Sequence, residues 1–477
     1  MALSLLTESI FEFRRFVRRY QHLFRHEAQR EHFESYLRGL IGPLQRKSIE
    51  PIALDQGVDW QAMENFIGRS PWDAEALVLE HRRHVRQTLG SRRGIFILDS
   101  TSFPKRGDKS VGVARLYCGQ LGKQENCVVA ENLSYAGEKG HMFLDRRLYL
   151  PEEWANDFPR RRQAGVPEDV VFRTGWELGY EMITHARSDH FPHEWITGDE
   201  EFGKVPQLHR WLWEEGEKYI FDVPASTPVW VNLPRRRIRG QEAYLERLRI
   251  RGAGRPRLVT AEEIADELPE RAWTVQEIRD ASKGPIRLRV ALLRVLFQWK
   301  KMRMRPEGWL LVTDTLDQKP KRKYLECNAG ADAGLTPMLR AGTARWPIEQ
   351  NHGQGKNETG LGHYETRSWL GWHHHTALSF LALHWLLLER NRLGGKIPRN
   401  DAGGSASRVL RRIADGTVPS ARVIAADAAP AGAQPQLPSL TLEEGPGSRR
   451  DAGATPSNQR GPEQVGHRSN GGVRVKK

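Results

Sequence analysis

The stretch Gly94-Ile95-Phe96-Ile97-Leu98-Asp99 is an apolar run that ends in an acidic residue. Such a run is typical of a buried central strand whose last carboxylate lies at the carboxyl edge of a sheet. The stretch His193-Glu194-Trp195-Ile196-Thr197-Gly198-Asp199 repeats the pattern further along the chain. The two stretches predict neighbouring strands that bring Asp99 and Asp199 to equivalent places.

The sequence around these runs predicts an α/β domain. Residues 110–117 and 127–135 have the composition of two more strands, and a helical period follows at 169–187. A helix at 205–216 and a strand at 218–223 complete the order β-β-β-α-β-α-β. We therefore expect a first part of the core over residues 91–224.

The chain before this core is helical in pattern and rich in arginine. Apolar residues recur near helical spacing over residues 7–40. Residues 51–68 fit a helix–turn–helix, with Ala53 for a close helix contact and Gly57 at the turn. An ordinary helical hairpin fits the same stretch equally well. Either interpretation makes residues 1–90 an all-helical, basic N-terminal region that suits DNA binding.

The chain after the core changes character twice. Residues 225–340 combine strand-like runs with four basic clusters, at 235–239, 247–257, 283–305 and 319–323, which predicts a β-rich insertion with a track for polyanions. Residues 341–392 return to apolar helical patterns and predict the last part of the core. Residues 393–477 are rich in Ala, Gly, Pro, Ser and Arg without a period, which is typical of a disordered low-complexity tail.

The segment that opens this last part has a distinctive spacing. Arg345, Glu349, His352 and Lys356 follow one another at intervals of four, three and four. In a helix these side chains share one face, so a carboxylate lies between cations that suit phosphate. An exposed Arg–Glu pair gives the same spacing, and the segment alone leaves both interpretations open.

Composition narrows the class of partner. The formal net charge is +14, which favours nucleic acid, although charge alone also allows an anionic membrane surface. The three cysteines match no zinc or disulfide pattern. No apolar stretch is long enough for a confident membrane span, and the N-terminus has no features of a signal peptide. We expect a cytoplasmic protein.

Asp99, Asp199 and Glu349 are the candidate catalytic and metal-binding residues. Adjacent strands lie roughly 5 Å apart, so carboxylates at their ends can share a divalent ion. Hard oxygen ligands suit Mg²⁺, with Mn²⁺ as the alternative. Asp314 also ends an apolar run and is the main rival, whereas Glu200 and Glu201 lie past the strand end. We expect His373-His374-His375 to lie on the surface or near DNA.

The same residues resemble a known family. Asp99-Ser100-Thr101-Ser102-Phe103-Pro104-Lys105-Arg106-Gly107, Gly198-Asp199-Glu200-Glu201-Phe202-Gly203 and the segment from Arg345 to Lys356 resemble bacterial insertion-sequence transposases of the DDE superfamily. The likeness covers about residues 90–390. The resemblance implies an RNase H-like core in which Asp99, Asp199 and Glu349 form a metal-binding triad.

One branch of that family carries a Tyr-x2-Arg-x3-Glu-x6-Lys signature. This chain matches it at Arg345, Glu349 and Lys356. The resemblance makes Glu349 the third acid and makes Arg345 and Lys356 DNA-phosphate contacts beside it. It departs at the tyrosine, where Gly342 stands, and Ser100 occupies the place of a second acid that the family often has.

The resemblance implies a cut-and-paste DNA transposase. Its partners would be double-stranded DNA, both the terminal inverted repeats of its element and the target, and a homodimer would form on paired ends. Two alternatives stay open: a catalytically inactive relative that acts as a DNA-binding repressor, and a stand-alone metal-dependent nuclease.

Overall fold

The computed structural model describes residues 2–231, 257–279, 285–299 and 307–394. In this part of the chain a mixed sheet of twelve strands is flanked by helices and preceded by an all-helical region. The predicted fold class, an α/β mixed-sheet core behind helices, is confirmed. The predicted basic clusters at 235–239 and over most of 247–257, and almost all of the predicted tail, lie outside the described residues.

The strands fall in two groups along the chain. Those of the core are β1 Ile95–Pro104, β2 Ala114–Cys118, β3 Lys123–Gly137, β4 Gly140–Leu148, β5 Trp195–Gly198 and β6 Tyr219–Val223. Those of the following segment are β7 Pro228–Val231, β8 Arg257–Thr260, β9 Thr274–Arg279, β10 Ile286–Phe297, β11 Glu307–Thr315 and β12 Arg322–Cys327. Their spatial order is β2-β3-β1-β5-β6-β12-β11-β10-β7-β8, with β4 paired to β3 and β9 paired to β10.

The centre of the sheet is an RNase H-like arrangement. Strand β1 is antiparallel to β3 and parallel to β5, and β5 is parallel to β6. The register aligns Leu98 with Gly198 and Gly198 with Phe221. The carboxyl ends of β5 and β6 therefore meet at one edge of the sheet, level with Asp99 in the middle of β1, which continues to Pro104.

The strands of the basic segment continue this sheet. Strand β12 pairs antiparallel with β6, aligning Leu325 with Asp222, and β11 and β10 follow outward. The segment consequently contacts the carboxyl end of β6 directly, through the residues at the start of β12.

The helices form a region of their own and also cover the sheet. Their bounds are α1 Ala2–Gln21, α2 Glu27–Ile41, α3 Ile49–Asp55, α4 Trp60–Gly68, α5 Ala74–Leu89, α6 Glu152–Ala155, α7 Phe158–Ala164, α8 Gly175–Ser188, α9 Glu200–Gly203, α10 Pro206–Glu214, α11 Ala261–Asp266, α12 Leu335–Gly342, α13 Arg345–Glu358 and α14 Trp369–Leu393. Helices α3 and α4 form the predicted pair of helices around Gly57, which has a positive φ.

Helix α14 joins the two cores. Trp372, Phe380 and Leu383 pack into the core of the sheet, while Leu381 and Trp385 pack among the N-terminal helices. Its apolar residues therefore have protein partners on opposite faces. No helix in the described residues has the length and apolar character needed to cross a membrane.

The clearest differences from the sequence prediction are in β1, β2 and β4. Strand β1 does not end at Asp99 but continues to Pro104, paired with β3. Strand β2 begins at Ala114 rather than at residue 110, because Gly112 adopts a φ of 71° and interrupts the extended backbone. Strand β4, which the hydrophobic pattern did not reveal, pairs with β3. Its arginines and Asp145 obscure the pattern, since they are buried by pairing with one another.

The prediction for the three consecutive histidines is wrong. His373, His374 and His375 are all buried in α14. His374 hydrogen-bonds to the carbonyls of Ile67 and Trp72, and His375 to Tyr36. Consecutive helical side chains do point in different directions, but α14 is surrounded by protein, so each direction leads into a core.

Candidate active site

Three acids lie level with one another at the carboxyl ends of β5 and β6, where Asp99 is in the middle of the longer strand β1. Asp99 follows Leu98 on β1, Asp199 follows Gly198 at the end of β5, and Asp222 follows Phe221 on β6. Since the preceding residues are aligned across the parallel strands, the three acids occupy equivalent register positions. The structure thus brings Asp99 and Asp199 together, as predicted, and adds Asp222.

Asp199 is held in a specific local geometry. Its carboxylate caps α9 by accepting the backbone N–H of Glu201 at 3.0 Å. Burial and the negative charge of Asp99 raise the pKa of Asp199 to about 6, despite Arg345 and two backbone N–H groups that favour the charged form. The Asp99–Asp199 pair is therefore short of positive charge.

Helix α13 brings cations to this edge of the sheet. Arg345 Nη2 lies 3.8 Å from Asp99 Oδ1, and Arg345 Nη1 lies 3.3 Å from Asp222 Oδ2. His352 Nδ1 lies 3.3 Å from Asp99 Oδ2, so the two oxygens of Asp99 face two residues of one helix. The predicted helix over the Arg345–Lys356 segment is confirmed. Arg345, His352 and Lys356 share one face of this helix, and that face lies against β1.

Glu349 and Lys356 occupy different surroundings on α13. Glu349 is exposed and lies within electrostatic range of Arg345, whose charged form it favours. Lys356 is partly buried, donates to the carbonyl of Ser102 at 3.1 Å and lies over the ring of Phe103. Burial lowers the pKa of Lys356.

A fourth acid lies behind the aspartates. Glu131 on β3 is buried and accepts a hydrogen bond of 2.5 Å from the Ser100 hydroxyl. Burial, together with the charges of Asp199 and Asp99, raises the pKa of Glu131 to about 7. Ser100 stands where the related family often has an acid, and here its hydroxyl contacts a carboxylate supplied by the neighbouring strand.

Sequence reasoning missed Asp222, Glu131 and His352 as members of this cluster. Asp222 has the same signal as the predicted acids, because the apolar run Tyr219-Ile220-Phe221 precedes it. His352 shares the helical spacing of Arg345 and Glu349. Glu131 has no such signal, since only the pairing of β1 with β3 brings it opposite Ser100.

The donor set fits a hard divalent cation. Asp99, Asp199 and Glu349 offer carboxylate oxygens, which are the ligands that Mg²⁺ and Mn²⁺ prefer. The raised pKa of Asp199 indicates that additional positive charge would stabilise its ionised form. Among the described residues no three His, Cys, Asp or Glu side chains are grouped so that they could hold a metal ion. The structure therefore brings Asp99 and Asp199 together without Glu349, which lies nearby on α13.

The rival acid Asp314 has a different environment. It lies on β11, which β12 separates from β6, and it pairs with Arg322 through bonds of 2.8 and 3.0 Å. The two bonds to Arg322 neutralise the charge of Asp314. The position of β11 in the sheet also separates Asp314 from Asp99 and Asp199. Glu200 and Glu201 are exposed on α9, where Glu201 pairs with Lys204.

Comparison with known proteins gives two matches. The family model described as DDE superfamily endonuclease matches residues 19–285, which is more than half of the chain. The chain is also 33% identical over 187 residues to the probable transposase for insertion sequence element IS701 of Microchaete diplosiphon. That alignment covers 39% of this chain and 46% of the relative, about half of the relative's length. With its strand-end acids and its RNase H-like sheet, the chain belongs to the DDE superfamily of endonucleases.

Proposed function

We propose that the protein is a DNA transposase that binds the ends of an insertion element and catalyses metal-dependent strand cleavage and strand transfer by a cut-and-paste route. The observation that carries the proposal is the alignment of Asp99 on β1 with Asp199, just past the end of the parallel strand β5, beside the helix that bears Glu349. The similarity to a probable insertion-sequence transposase supports the same reaction class.

In this proposal Asp99, Asp199 and Glu349 hold Mg²⁺, or Mn²⁺ in its place. The ion supplies activation of the attacking oxygen and stabilisation of the leaving oxygen in phosphoryl transfer. Glu349 is exposed on α13, so it remains available for a shared ligand. Asp199 is fixed as the cap of α9, which limits the reorganisation needed on binding.

Cations of α13 would bind the DNA backbone beside these acids. Arg345 has a planar fork that suits phosphate oxygens, and it lies next to Asp99. Lys356 lies further along the same face of the helix and donates a hydrogen bond to the carbonyl of Ser102 on β1. The two residues would then place the phosphates that flank the cleaved bond.

Other parts of the chain would supply DNA recognition. We assign residues 1–90 to the inverted repeats, with α4 as the recognition element because its Trp60 side chain is 48% exposed. The catalytic core would comprise 91–224 and 341–392, interrupted by a basic insertion over 225–340 that tracks flanking DNA.

Assembly and location follow from the proposed reaction. Joining two element ends requires two active sites, so a homodimer on paired ends is the simplest assembly. Action on chromosomal DNA and on a target site places the activity in the bacterial cytoplasm. The overall charge of +14 supports a large contact with double-stranded DNA.

An end-cleavage and strand-transfer assay tests the proposal. The substrate is a plasmid that carries both sequences flanking the gene, incubated with Mg²⁺ and either wild type, Glu349→Gln or Asp314→Asn. We expect cleavage and joining by wild type and Asp314→Asn and neither by Glu349→Gln. Equal cleavage by wild type and Glu349→Gln would refute the triad.

The same assay separates the other two functions. Cleavage without any joined product would favour a stand-alone nuclease. Specific binding to the flanking sequences without cleavage by wild type would favour an inactive relative that acts as a repressor.

A further inference from the structure

Asp222 differs from the other strand-end acids in what its carboxylate contacts. Its Oδ2 accepts a hydrogen bond of 2.8 Å from Lys323 Nζ and one of 3.3 Å from Arg345 Nη1. Lys323 comes from β12 of the basic segment, and Arg345 begins α13. One carboxylate therefore connects a cation of that segment to a cation of the core.

The contact with Asp222 determines how Arg345 is held. Among the described residues it is the only hydrogen bond that the Arg345 side chain makes, since Asp99 lies 3.8 Å away. The Nε atom of Arg345 is buried and has no hydrogen-bond partner in the described part of the chain. Without Asp222 the guanidinium would keep only its longer-range attraction to the acids.

The backbone fixes Asp222 where this contact requires it. Its position on β6 is set by pairing with β5 on one side and with β12 on the other. Helix α9 packs directly over it, because a Cβ added to Gly203 would lie 1.7 Å from the Asp222 carbonyl oxygen. The carboxylate is thus on a rigid element, whereas Arg345 and Lys323 are long side chains that need a partner to be ordered.

We propose that Asp222 is a positioning residue: it holds Arg345 and Lys323 together as a two-cation phosphate clamp at the edge of the active site. This inference rests on the proposed function. Asp222 Oδ2 accepts hydrogen bonds from both Lys323 and Arg345, whereas Asp99 has Arg345 only at 3.8 Å. The Lys323 side chain is 54% exposed, so it is accessible to a DNA phosphate while it remains bonded to Asp222.

The effect of Asp222→Ala on DNA affinity distinguishes a clamp from simple electrostatics, because the two predict changes of opposite sign. Asp222→Ala removes a negative charge from a DNA-binding surface, and long-range attraction alone would then tighten DNA binding. A lost clamp weakens binding instead, because Arg345 and Lys323 become disordered. We expect Asp222→Ala to bind an element-end duplex several-fold more weakly in EDTA, with the salt slope reduced by about one.

A double-mutant cycle assigns the effect to Arg345. Asp222→Ala, Arg345→Ala and the double variant are compared for duplex binding in EDTA and for nicking with Mg²⁺, with circular dichroism to monitor folding. We expect the two single losses to be less than additive in the double variant, since either change removes the Asp222–Arg345 contact, and the loss beyond Arg345→Ala reports the release of Lys323. The matched control is Asp314→Ala, which removes one acidic partner of Arg322 elsewhere on the same sheet, leaves Asp266 as the other, and should leave both measurements unchanged.

Three results would overturn the inference. They are tighter or unchanged DNA binding by Asp222→Ala, additive losses in the double variant, and an equal loss in Asp314→Ala. Asp222→Asn preserves side-chain volume and serves as the second variant if Asp222→Ala is unstable, with the same expected direction. Binding without nicking by wild type would refute only the proposed catalysis. The clamp would still be tested, because the duplex-binding data alone decide it.

Discussion

The molecule contains two clusters of buried carboxylates that differ in how many cations surround them. Asp145 on β4 is fully buried and faces Arg82 at 3.0 Å and Arg147 at 2.6 Å. Although burial opposes its charge, Arg147, His185 and Arg82 hold the pKa of Asp145 below its usual range. At the other cluster Asp199 has Asp99 as its neighbour, and its pKa is raised to about 6.

The difference separates an architectural cluster from a chemical one. Around Asp145 the arginines satisfy the charge within the protein, and Arg146 connects β4 to Glu75 on α5 at 2.9 Å. Around Asp199 burial and the charge of Asp99 outweigh the attraction of Arg345, so an additional cation from solution would stabilise the ionised acid. Counting cations around each buried acid therefore distinguishes the two roles, whereas burial alone does not.

The largest expected effect concerns the under-neutralised cluster. Asp199→Asn should lower strand cleavage by at least about 1,000-fold, because a metal-binding carboxylate supplies several kcal/mol of transition-state charge stabilisation. Single-turnover nicking of an element-end substrate measures the loss. The variant should remain folded. Near-normal nicking by Asp199→Asn would contradict a metal-binding role for this cluster.

The architectural cluster should respond in the opposite way. Asp145→Ala leaves Arg82 and Arg147 buried without their shared partner, and should lower the free energy of unfolding by about 3–5 kcal/mol. Denaturant unfolding measures this change, while the nicking rate per folded molecule should stay close to wild type. A large loss of activity in a fully stable Asp145→Ala protein would contradict the assignment.

The pH dependence of stability gives a smaller test of the same contrast. Burial raises the pKa of Glu131 to about 7, so the folded protein binds an extra proton between the unfolded pKa and pH 7. The contribution of Glu131 to stability therefore falls as pH rises through this window. Glu131→Gln removes the titration, and relative to wild type it should gain about 2 kcal/mol from pH 5 to pH 8.

Only the difference in stability between wild type and Glu131→Gln reports the titration of Glu131. Burial lowers the pKa values of His373, His374 and His375, so the whole protein loses stability as pH falls below the unfolded histidine pKa. Thermal unfolding of metal-free wild type and Glu131→Gln at each pH cancels this shared background. A difference that is constant with pH would show that Glu131 does not titrate there.

The smallest expected effect belongs to the rival acid. Asp314→Asn changes a carboxylate that is already paired with Arg322, in strands outside the carboxyl edge of β1 and β5. Nicking should stay within about twofold of wild type, and stability should fall by about 1–2 kcal/mol, because a partly exposed charged pair is lost. A loss of nicking comparable to that of Asp199→Asn would instead indicate that the metal site includes Asp314 on β11.

The central strands could be predicted because burial on both faces leaves a direct mark on the sequence. The apolar runs before Asp99 and Asp199 have this mark, and their outcome as parallel neighbours needed only the usual geometry of such strands. The spacing of Arg345, Glu349 and Lys356 fits one face of a helix, and the segment is helical as α13. These features depend on residues close together in the chain.

Features that depend on long-range pairing could not be predicted in the same way. Strand β4 carries buried charges that look like surface residues until Arg82 and Asp145 are brought together from distant elements. The histidines of α14 look exposed for the same reason, since their partners lie in the N-terminal helices. Glu131 joins the active-site cluster only through the register of β1 with β3.

Metal binding tests most directly whether the Asp99–Asp199 cluster, and not the Asp145 cluster, takes a cation from solution. We expect Mn²⁺ titrated into metal-free wild type, followed by calorimetry without DNA, to give saturable binding that Asp199→Asn loses and Asp314→Asn retains. Equal binding by wild type and Asp199→Asn would contradict the account, because the carboxyl edge of β1 and β5 would then not hold the ion.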